Sequence, residues 1–139
     1  MNWNLTDKSQ VLIESYKPKK AIILAAGLGM RMVPINTEVP KALLKVKGQT
    51  LIERLIGQLH EVGVYDISVV VGFMKEEFEF LIDDYNVKLV CNMEYARKNN
   101  MYSLDLVNSN LENTYIVPCD IWCEENPFHT CELYSWYMI

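Results

Sequence analysis

The sequence predicts an α/β domain built on a mostly parallel sheet. Short apolar runs of strand length alternate with amphipathic helical patterns along most of the chain. The first apolar run is continuous and ends in glycines, as a strand buried on both faces of a parallel sheet does. We therefore expect a Rossmann-like three-layer sandwich, with ligands gathered beyond the carboxyl ends of the strands.

The first half of the domain gives the clearest pattern. Residues 1–20, a mixed stretch that becomes basic, predict a short helix and a linker, and residues 21–139 are expected to form the domain itself. Residues 21–26 are the first predicted strand. Thr50 and Glu53 have the spacing of a capping box and open a helix that Gly63 ends, and a strand over 67–71 and a helix over 75–85 follow.

The second half continues the alternation. Residues 87–91 predict a third strand, residues 101–111 a third helix and residues 115–119 a fourth strand. Residues 134–139 predict a further strand, in which Trp136 and Tyr137 would pack into a core.

Composition excludes several classes of protein. The 139 residues are 50% hydrophobic and 22% charged, which suits one compact domain. A net charge of −5 argues against binding of nucleic acid, and no run approaches the roughly 18 apolar residues of a membrane span. The amino-terminal residues lack the pattern of a signal peptide, so a cytoplasmic location with reduced cysteines is expected.

A glycine-containing loop follows the first predicted strand. Gly27 and Gly29 would bring backbone N–H groups close to a phosphate, and Arg31 adds a charge that can hold a polyphosphate through two hydrogen bonds. A simple structural turn is the alternative. The dinucleotide-binding fingerprint is excluded because Met32 stands where its third glycine belongs, and the P-loop motif is absent.

Asp120 directly follows the fourth predicted strand, where its carboxylate would face the ligand crevice. One such carboxylate, together with phosphate oxygens and water, can hold Mg²⁺. The alternative is an aspartate that caps a helix or forms a turn. A zinc site formed by the nearby cysteines and His129 is not predicted, because their spacing is not the paired C-x-x-C of zinc-binding folds.

The run Leu-Ala-Ala-Gly-Leu-Gly-Met-Arg-Met at 24–32, followed by Pro-Lys-Ala-Leu at 40–43, closely resembles the signature of the nucleotidyltransferases that make sugar nucleotides and related activated head groups. The resemblance implies a GT-A-type nucleotidyltransferase fold. It also implies that Arg31 contacts the outer phosphates, Lys41 neutralises charge at the α-phosphate and Asp120 binds Mg²⁺. The alternative for Lys41 is a solvated surface lysine. In this family the loop around the nucleotide would be formed by Leu24, Ala25, Ala26, Gly27 and Gly29.

Within that family, Gly72 with its neighbours, Asn92 and the Asn-Asn-Met-Tyr-Ser-Leu stretch at 99–104 most resemble the bacterial CTP:phosphocholine cytidylyltransferases. The resemblance implies that Gly72, Asn92, Asn99 and Asn100 lie near the base and ribose. The alternative for Asn99 and Asn100 is a helix cap. The resemblance covers residues 21 to about 125. Because the family is longer and has a second metal carboxylate, the domain is expected to be truncated at its carboxyl end.

The sequence thus predicts Mg²⁺-dependent transfer of a cytidylyl group from CTP to phosphocholine, giving CDP-choline and pyrophosphate. Two alternatives stay open: a sugar-1-phosphate nucleotidyltransferase, and a non-catalytic nucleotide-binding fragment. Trp122, two residues past Asp120, is a further candidate for contact with a quaternary ammonium group. The sequence does not predict an oligomeric state.

Overall fold

The computed structural model describes residues 7–26, 39–72, 74–93 and 112–137. The helix predicted over residues 101–111 lies outside these ranges. The elements in chain order are helix α1, Asp7–Glu14; strand β1, Lys20–Ala25; a 3-10 turn, Lys41–Leu43; strands β2, Lys45–Val46, and β3, Gln49–Thr50; helix α2, Leu51–Glu61; strand β4, Asp66–Val71; a 3-10 turn, Lys75–Phe78; helix α3, Phe80–Tyr85; and strands β5, Lys88–Cys91, and β6, Thr114–Pro118.

The main sheet is parallel throughout, which confirms the predicted fold class. Its strand order is β5-β4-β1-β6, so β1 lies inside the sheet and pairs on both sides. Ile23, in the middle of β1, aligns with Val69 of β4 and Val117 of β6. The short strands β2 and β3 form a separate antiparallel hairpin.

Apolar residues cover both faces of this sheet, as continuous apolar strands require. Ala21, Ile23 and Ala25 alternate along β1 and belong to the main core cluster, while Ile22 and Ala26 belong to a smaller cluster on the opposite face. Helix α2 buries four side chains completely against the main core: Ile52, Leu55, Ile56 and Leu59.

Helix α2 begins with the predicted capping box. The Thr50 hydroxyl oxygen accepts a hydrogen bond from the Glu53 N–H at 3.2 Å, and the Glu53 carboxylate accepts from the Thr50 N–H at 3.3 Å. The hydrogen bond from the Thr50 side chain also lowers the pKa of the Glu53 carboxyl. Gly63, at φ +84°, follows the helix in the left-handed conformation that glycine adopts most easily.

Two predicted elements differ in the structure. The single helix predicted over 75–85 is a 3-10 turn followed by the short α3, and left-handed residues flank the pair at Met74 and Asn86. The strand predicted over 134–139 is wrong for its described part, since residues 134–137 form no strand. Tyr137 is 84% exposed rather than packed into a core, and its segment lines a groove along the edge strand β6 without pairing with it.

In the ranges that the structure describes, no helix has the length and apolar character needed to cross a membrane.

Candidate functional site

Several predicted site residues meet at one edge of the main sheet. Because the strands are parallel, their carboxyl ends lie together, and the register aligns Ala25 with Val71 and Val71 with Cys91. Ala26, Gly72 and Asn92 each directly follow one of these strands, and Asp120 lies two residues beyond β6. This edge is where a parallel α/β sheet normally binds its ligand.

Lys41 and Asp120 form an ion pair although 79 residues separate them in the chain. The Lys41 ammonium nitrogen lies 3.1 Å from Oδ2 of Asp120, and the two side chains are 22% and 46% exposed. The sequence prediction assigned Lys41 to the α-phosphate and Asp120 to a Mg²⁺ ion at the phosphates of the same nucleotide. The structure brings them together at the carboxyl edge of the sheet.

Lys41 is held by a tight turn anchored in the core. Pro40 is buried with an extended backbone, and its carbonyl accepts a hydrogen bond from the Leu43 N–H at 2.9 Å. Ala42, next to the lysine, is only 1% exposed. The buried neighbours fix the backbone on both sides of Lys41, so its side chain alone extends to the edge.

Asp120 is placed by an extension of strand pairing. The Cys119 N–H donates to the Leu24 carbonyl at 3.2 Å, one residue beyond the last residue of β6. Burial, with a smaller contribution from the charge of Asp120, raises the pKa of the Cys119 thiol to about 12. Cys119 is therefore a neutral packing residue, and the carboxylate beside it is the group available for chemistry.

Asp120 fits a Mg²⁺ ion that takes its remaining ligands from a substrate. Within the described part of the chain, no three His, Cys, Asp or Glu side chains form a ready-made metal cage. Mg²⁺ typically binds one or two carboxylates together with phosphate oxygens and water. A single half-exposed carboxylate at the ligand edge of the sheet matches that requirement, and Lys41 beside it would supply a further positive charge to a bound phosphate.

The residues predicted to bind the nucleotide divide into two groups. Leu24, Ala25, Ala26, Gly72 and Asn92 lie at or beside the strand ends, and Asn92 is fully buried while its N–H donates to the Val71 carbonyl at 2.7 Å. Their contacts with a nucleotide remain predictions. The other predicted residues lie outside the described ranges: Gly27, Gly29, Arg31, Asn99 and Asn100.

Sequence reasoning missed a set of polar contacts that hold the chain after Asp120. Arg54 and Gln58, one turn apart on α2, both donate to the backbone carbonyl of Cys123, and Lys47 of the hairpin pairs with Glu124. Gln58 is 1% exposed on the apolar side of α2. A glutamine among leucines and isoleucines at core spacing is the signal that could have revealed this contact.

Trp122 already has a cation against its ring. The guanidinium carbon of Arg54 lies 5.4 Å from the ring centre, within the range of a cation–π contact. That face of the indole is therefore used within the protein, which weakens the case for Trp122 as a contact for a quaternary ammonium group.

A groove of about 780 Å³ lies along strand β6, away from Lys41, Gly72 and Asn92. Its lining includes Tyr115, Phe128 and Trp136, and the Tyr115 and Phe128 ring centres are 4.8 Å apart. Burial, and to a smaller extent the hydrogen bond to Glu132, raises the pKa of the Tyr115 hydroxyl. Among the described residues, neither Lys41 nor Asp120 lines this groove, so it is separate from the Lys41–Asp120 pair.

Comparison with known proteins identifies the family of this chain. Residues 21–128 match the family described as the MobA-like NTP transferase domain. The choline-phosphate cytidylyltransferase of Streptococcus pneumoniae is 48% identical over 109 residues, which are 78% of this chain and 48% of that protein. The 2-aminoethylphosphonate cytidylyltransferase of Lancefieldella rimae is 46% identical over 104 residues, which are 73% of this chain and 42% of that protein.

Among solved structures, the CTP:phosphocholine cytidylyltransferase from Streptococcus pneumoniae matches with a TM-score of 0.77 and 47% identity, over 80% of this chain and 49% of that one. These matches confirm the nucleotidyltransferase resemblance and the fold predicted from the glycine-containing signature. The chain spans about half the length of the curated relatives it matches.

Proposed function

The chain belongs to the MobA-like NTP transferase family, and we propose that it forms the nucleotide-binding half of a cytidylyltransferase that transfers CMP from CTP to phosphocholine. The observation that carries the proposal is the Lys41–Asp120 pair at the carboxyl edge of the sheet. A cation and a carboxylate side by side suit a polyphosphate with its metal ion, because phosphoryl chemistry depends mainly on neutralising charge.

The proposed reaction forms one bond and breaks one. A phosphate oxygen of phosphocholine bonds to the α-phosphorus of CTP, and the bond from that phosphorus to the oxygen bridging to the β-phosphate breaks. Pyrophosphate leaves with the electron pair of that bond. The attacking phosphate is already ionised, so the protein needs no general base and its task is to orient and to neutralise charge.

Lys41 is proposed to stabilise the charge that develops on the α-phosphoryl oxygens. Its buried turn limits the positions that the ammonium group can reach, which reduces the reorganisation required when a phosphate arrives. Asp120 would hold Mg²⁺, which when bound supplies further neutralisation of the phosphate charges. Gly27, Gly29 and Arg31 would hold the β- and γ-phosphates.

The acceptor is inferred from the relatives. The two similar relatives named above are both cytidylyltransferases, but one is named for choline phosphate and the other for 2-aminoethylphosphonate. Both acceptors combine an anionic phosphorus group with a positively charged nitrogen. We propose phosphocholine because the choline-phosphate enzyme matches a larger share of this chain at the higher identity. A cytoplasmic location is part of the proposal.

Pyrophosphate release tests the proposal in a chain extended to the length of the relatives. CTP with phosphocholine should support release, and Asp120→Ala should abolish it. Parallel assays with 2-aminoethylphosphonate, hexose 1-phosphates and the other nucleoside triphosphates separate the acceptors and bases. Full turnover in Asp120→Ala would refute the assigned metal residue.

The non-catalytic alternative gives a different result. A binding-only module would be stabilised thermally by CTP with Mg²⁺ but would release no pyrophosphate even when extended. Pyrophosphate release from the extended chain would exclude it.

A further inference from the structure

The segment that follows Asp120 is fastened to helix α2 by two side chains. Arg54 donates to the Cys123 carbonyl from Nε at 3.3 Å and from Nη2 at 3.2 Å, and Nη2 also donates to the Glu124 carbonyl. Gln58 Nε2 donates to the same Cys123 oxygen at 3.0 Å. Two consecutive backbone carbonyls in a segment without regular structure are thus bound by side chains of one helix.

Arg54 makes more contacts with the segment after Asp120 than Gln58 or Lys47 does. Its guanidinium packs over the Trp122 ring while the edge of the same group binds the two carbonyls. Lys47 pairs with the Glu124 carboxylate, and Asn126 donates to the Gln58 carbonyl at 2.7 Å. The planar fork of arginine can bind two oxygens and stack on a ring at once, which lysine cannot do.

These contacts fix the backbone on the far side of Asp120. On the near side, the Cys119 N–H is bonded to the Leu24 carbonyl of β1. On the far side, the Cys123 carbonyl is bonded to Arg54 and Gln58. The aspartate therefore lies in the five-residue span from Cys119 to Cys123 with both ends held, and the direction of its carboxylate depends on both attachments.

We propose that Arg54 is a positioning residue for the metal site, holding residues 122–124 so that the Asp120 carboxylate is oriented for Mg²⁺. The proposal rests on the proposed function for the role of Asp120 itself. Helix α2 carries none of the predicted nucleotide or metal residues. The proposal gives this helix an influence on metal affinity through the orientation of Asp120. Groups that orient a metal ligand typically change affinity by about 10–100-fold when removed.

The test compares Arg54→Ala and Arg54→Lys in the 139-residue chain. Mn²⁺ binding in the presence of CTP is measured by electron paramagnetic resonance, with Mn²⁺ as the observable substitute for Mg²⁺. We expect Mn²⁺ affinity to fall by about tenfold in Arg54→Ala and by an intermediate amount in Arg54→Lys. The matched control is Lys88→Ala, which removes an exposed cation paired with Asp66 and should leave Mn²⁺ affinity unchanged.

A second readout needs neither metal nor nucleotide. With Trp3→Phe and Trp136→Phe in the background, Trp122 is the sole tryptophan, and acrylamide quenching of its fluorescence reports how well the segment is held. Quenching should increase in Arg54→Ala and stay unchanged in Lys88→Ala. This readout examines the attachment itself, independently of the role of Asp120.

The outcomes distinguish a failure of the proposed function from a failure of the positioning role of Arg54. If the wild type binds no Mn²⁺ with CTP, the proposed function fails, whatever the quenching shows. If the wild type binds Mn²⁺ and a folded Arg54→Ala binds it equally well, only the positioning role is overturned. If Arg54→Ala does not fold, Arg54→Lys provides the test. It keeps the charge and the apolar stem of the side chain but loses the planar guanidinium group. Wild-type Mn²⁺ affinity in Arg54→Lys would overturn the positioning role.

Discussion

The central strands and the segment after β6 are held in place by different physical means. Ile23 and Val69, aligned on neighbouring strands, are both 0% exposed in an apolar core, and their backbones pair in a regular ladder. Residues 119–126 form no helix or strand and are held by Arg54, Gln58 and Lys47. Burial in the sheet therefore provides most of the stability of the domain, whereas polar contacts to α2 hold the segment beside the candidate site.

The largest effect on stability is expected from Ile23→Ala. The side chain is completely buried in the central strand, and removing it leaves a cavity that neighbouring strands cannot fill. The free energy of unfolding should fall by about 2–5 kcal/mol, measured by urea denaturation. The matched control is Ile116→Ala on β6, where the side chain is already 44% exposed. It should change the free energy of unfolding by less than about 1 kcal/mol. Equal losses in Ile23→Ala and Ile116→Ala would contradict the conclusion that burial in the sheet provides the stability.

Lys41→Met should reduce turnover strongly and stability only slightly. It keeps most of the apolar stem and removes the charge, so turnover in the extended chain should fall by about 10²–10³-fold while stability changes by less than about 1 kcal/mol. Pyrophosphate release and urea denaturation of the same preparation provide the two numbers. A variant that loses stability without losing turnover would make Lys41 a structural residue.

Thr50→Ala tests the junction between the two regions, because Thr50 caps the helix that carries Arg54 and Gln58. The free energy of unfolding should fall by about 1 kcal/mol at pH 7 through loss of the cap. The loss should shrink in acid. The folded-state pKa of Glu53 lies below its usual 4.5, so its contribution is present above that value and disappears as the pH falls through the folded-state pKa.

Urea denaturation of the wild type and Thr50→Ala at pH 7 and at about pH 3 checks this sign. The two proteins should differ less at the lower pH. A difference that grows on acidification would contradict the assigned hydrogen bond between Thr50 and Glu53.

The smallest effect is expected from Lys88→Ala. Its ion pair with Asp66 joins two exposed side chains, 71% and 42% accessible, at the ends of β5 and β4 opposite the candidate site. Such pairs contribute little because water and salt screen them, so a change below about 0.5 kcal/mol is expected. A loss similar to that of Ile23→Ala would show that the sheet depends on surface charges.

The sheet was predictable because its signals are local. The apolar run at 21–26 and the capping box at Thr50 and Glu53 each specify an element without knowledge of distant residues. The position of Lys41 and Asp120 at one site was foreseeable from a family signature and a strand end, but the ion pair between them was not predicted. The hydrogen bond from Arg54 to the Cys123 carbonyl could not be predicted, because any residue can accept a hydrogen bond through its backbone carbonyl and the sequence therefore shows no pattern there.

The failed strand prediction has a related cause. Residues 134–137 have the composition of a strand, but a strand forms only where another strand offers hydrogen bonds. Alternation of aromatic and apolar residues describes what a segment prefers, and residues 134–137 lie along the edge strand β6 without forming a ladder with it.

The bond from the Cys119 N–H to the Leu24 carbonyl also limits how this domain can change in evolution. Because neighbouring residues of a strand point in opposite directions, gaining or losing one residue within β6 would reverse every side chain that follows and turn Asp120 away from Lys41. Insertions and deletions are therefore expected to accumulate in the loops beyond the sheet edge, where new acceptor preferences can arise. The length of β6 is expected to stay constant.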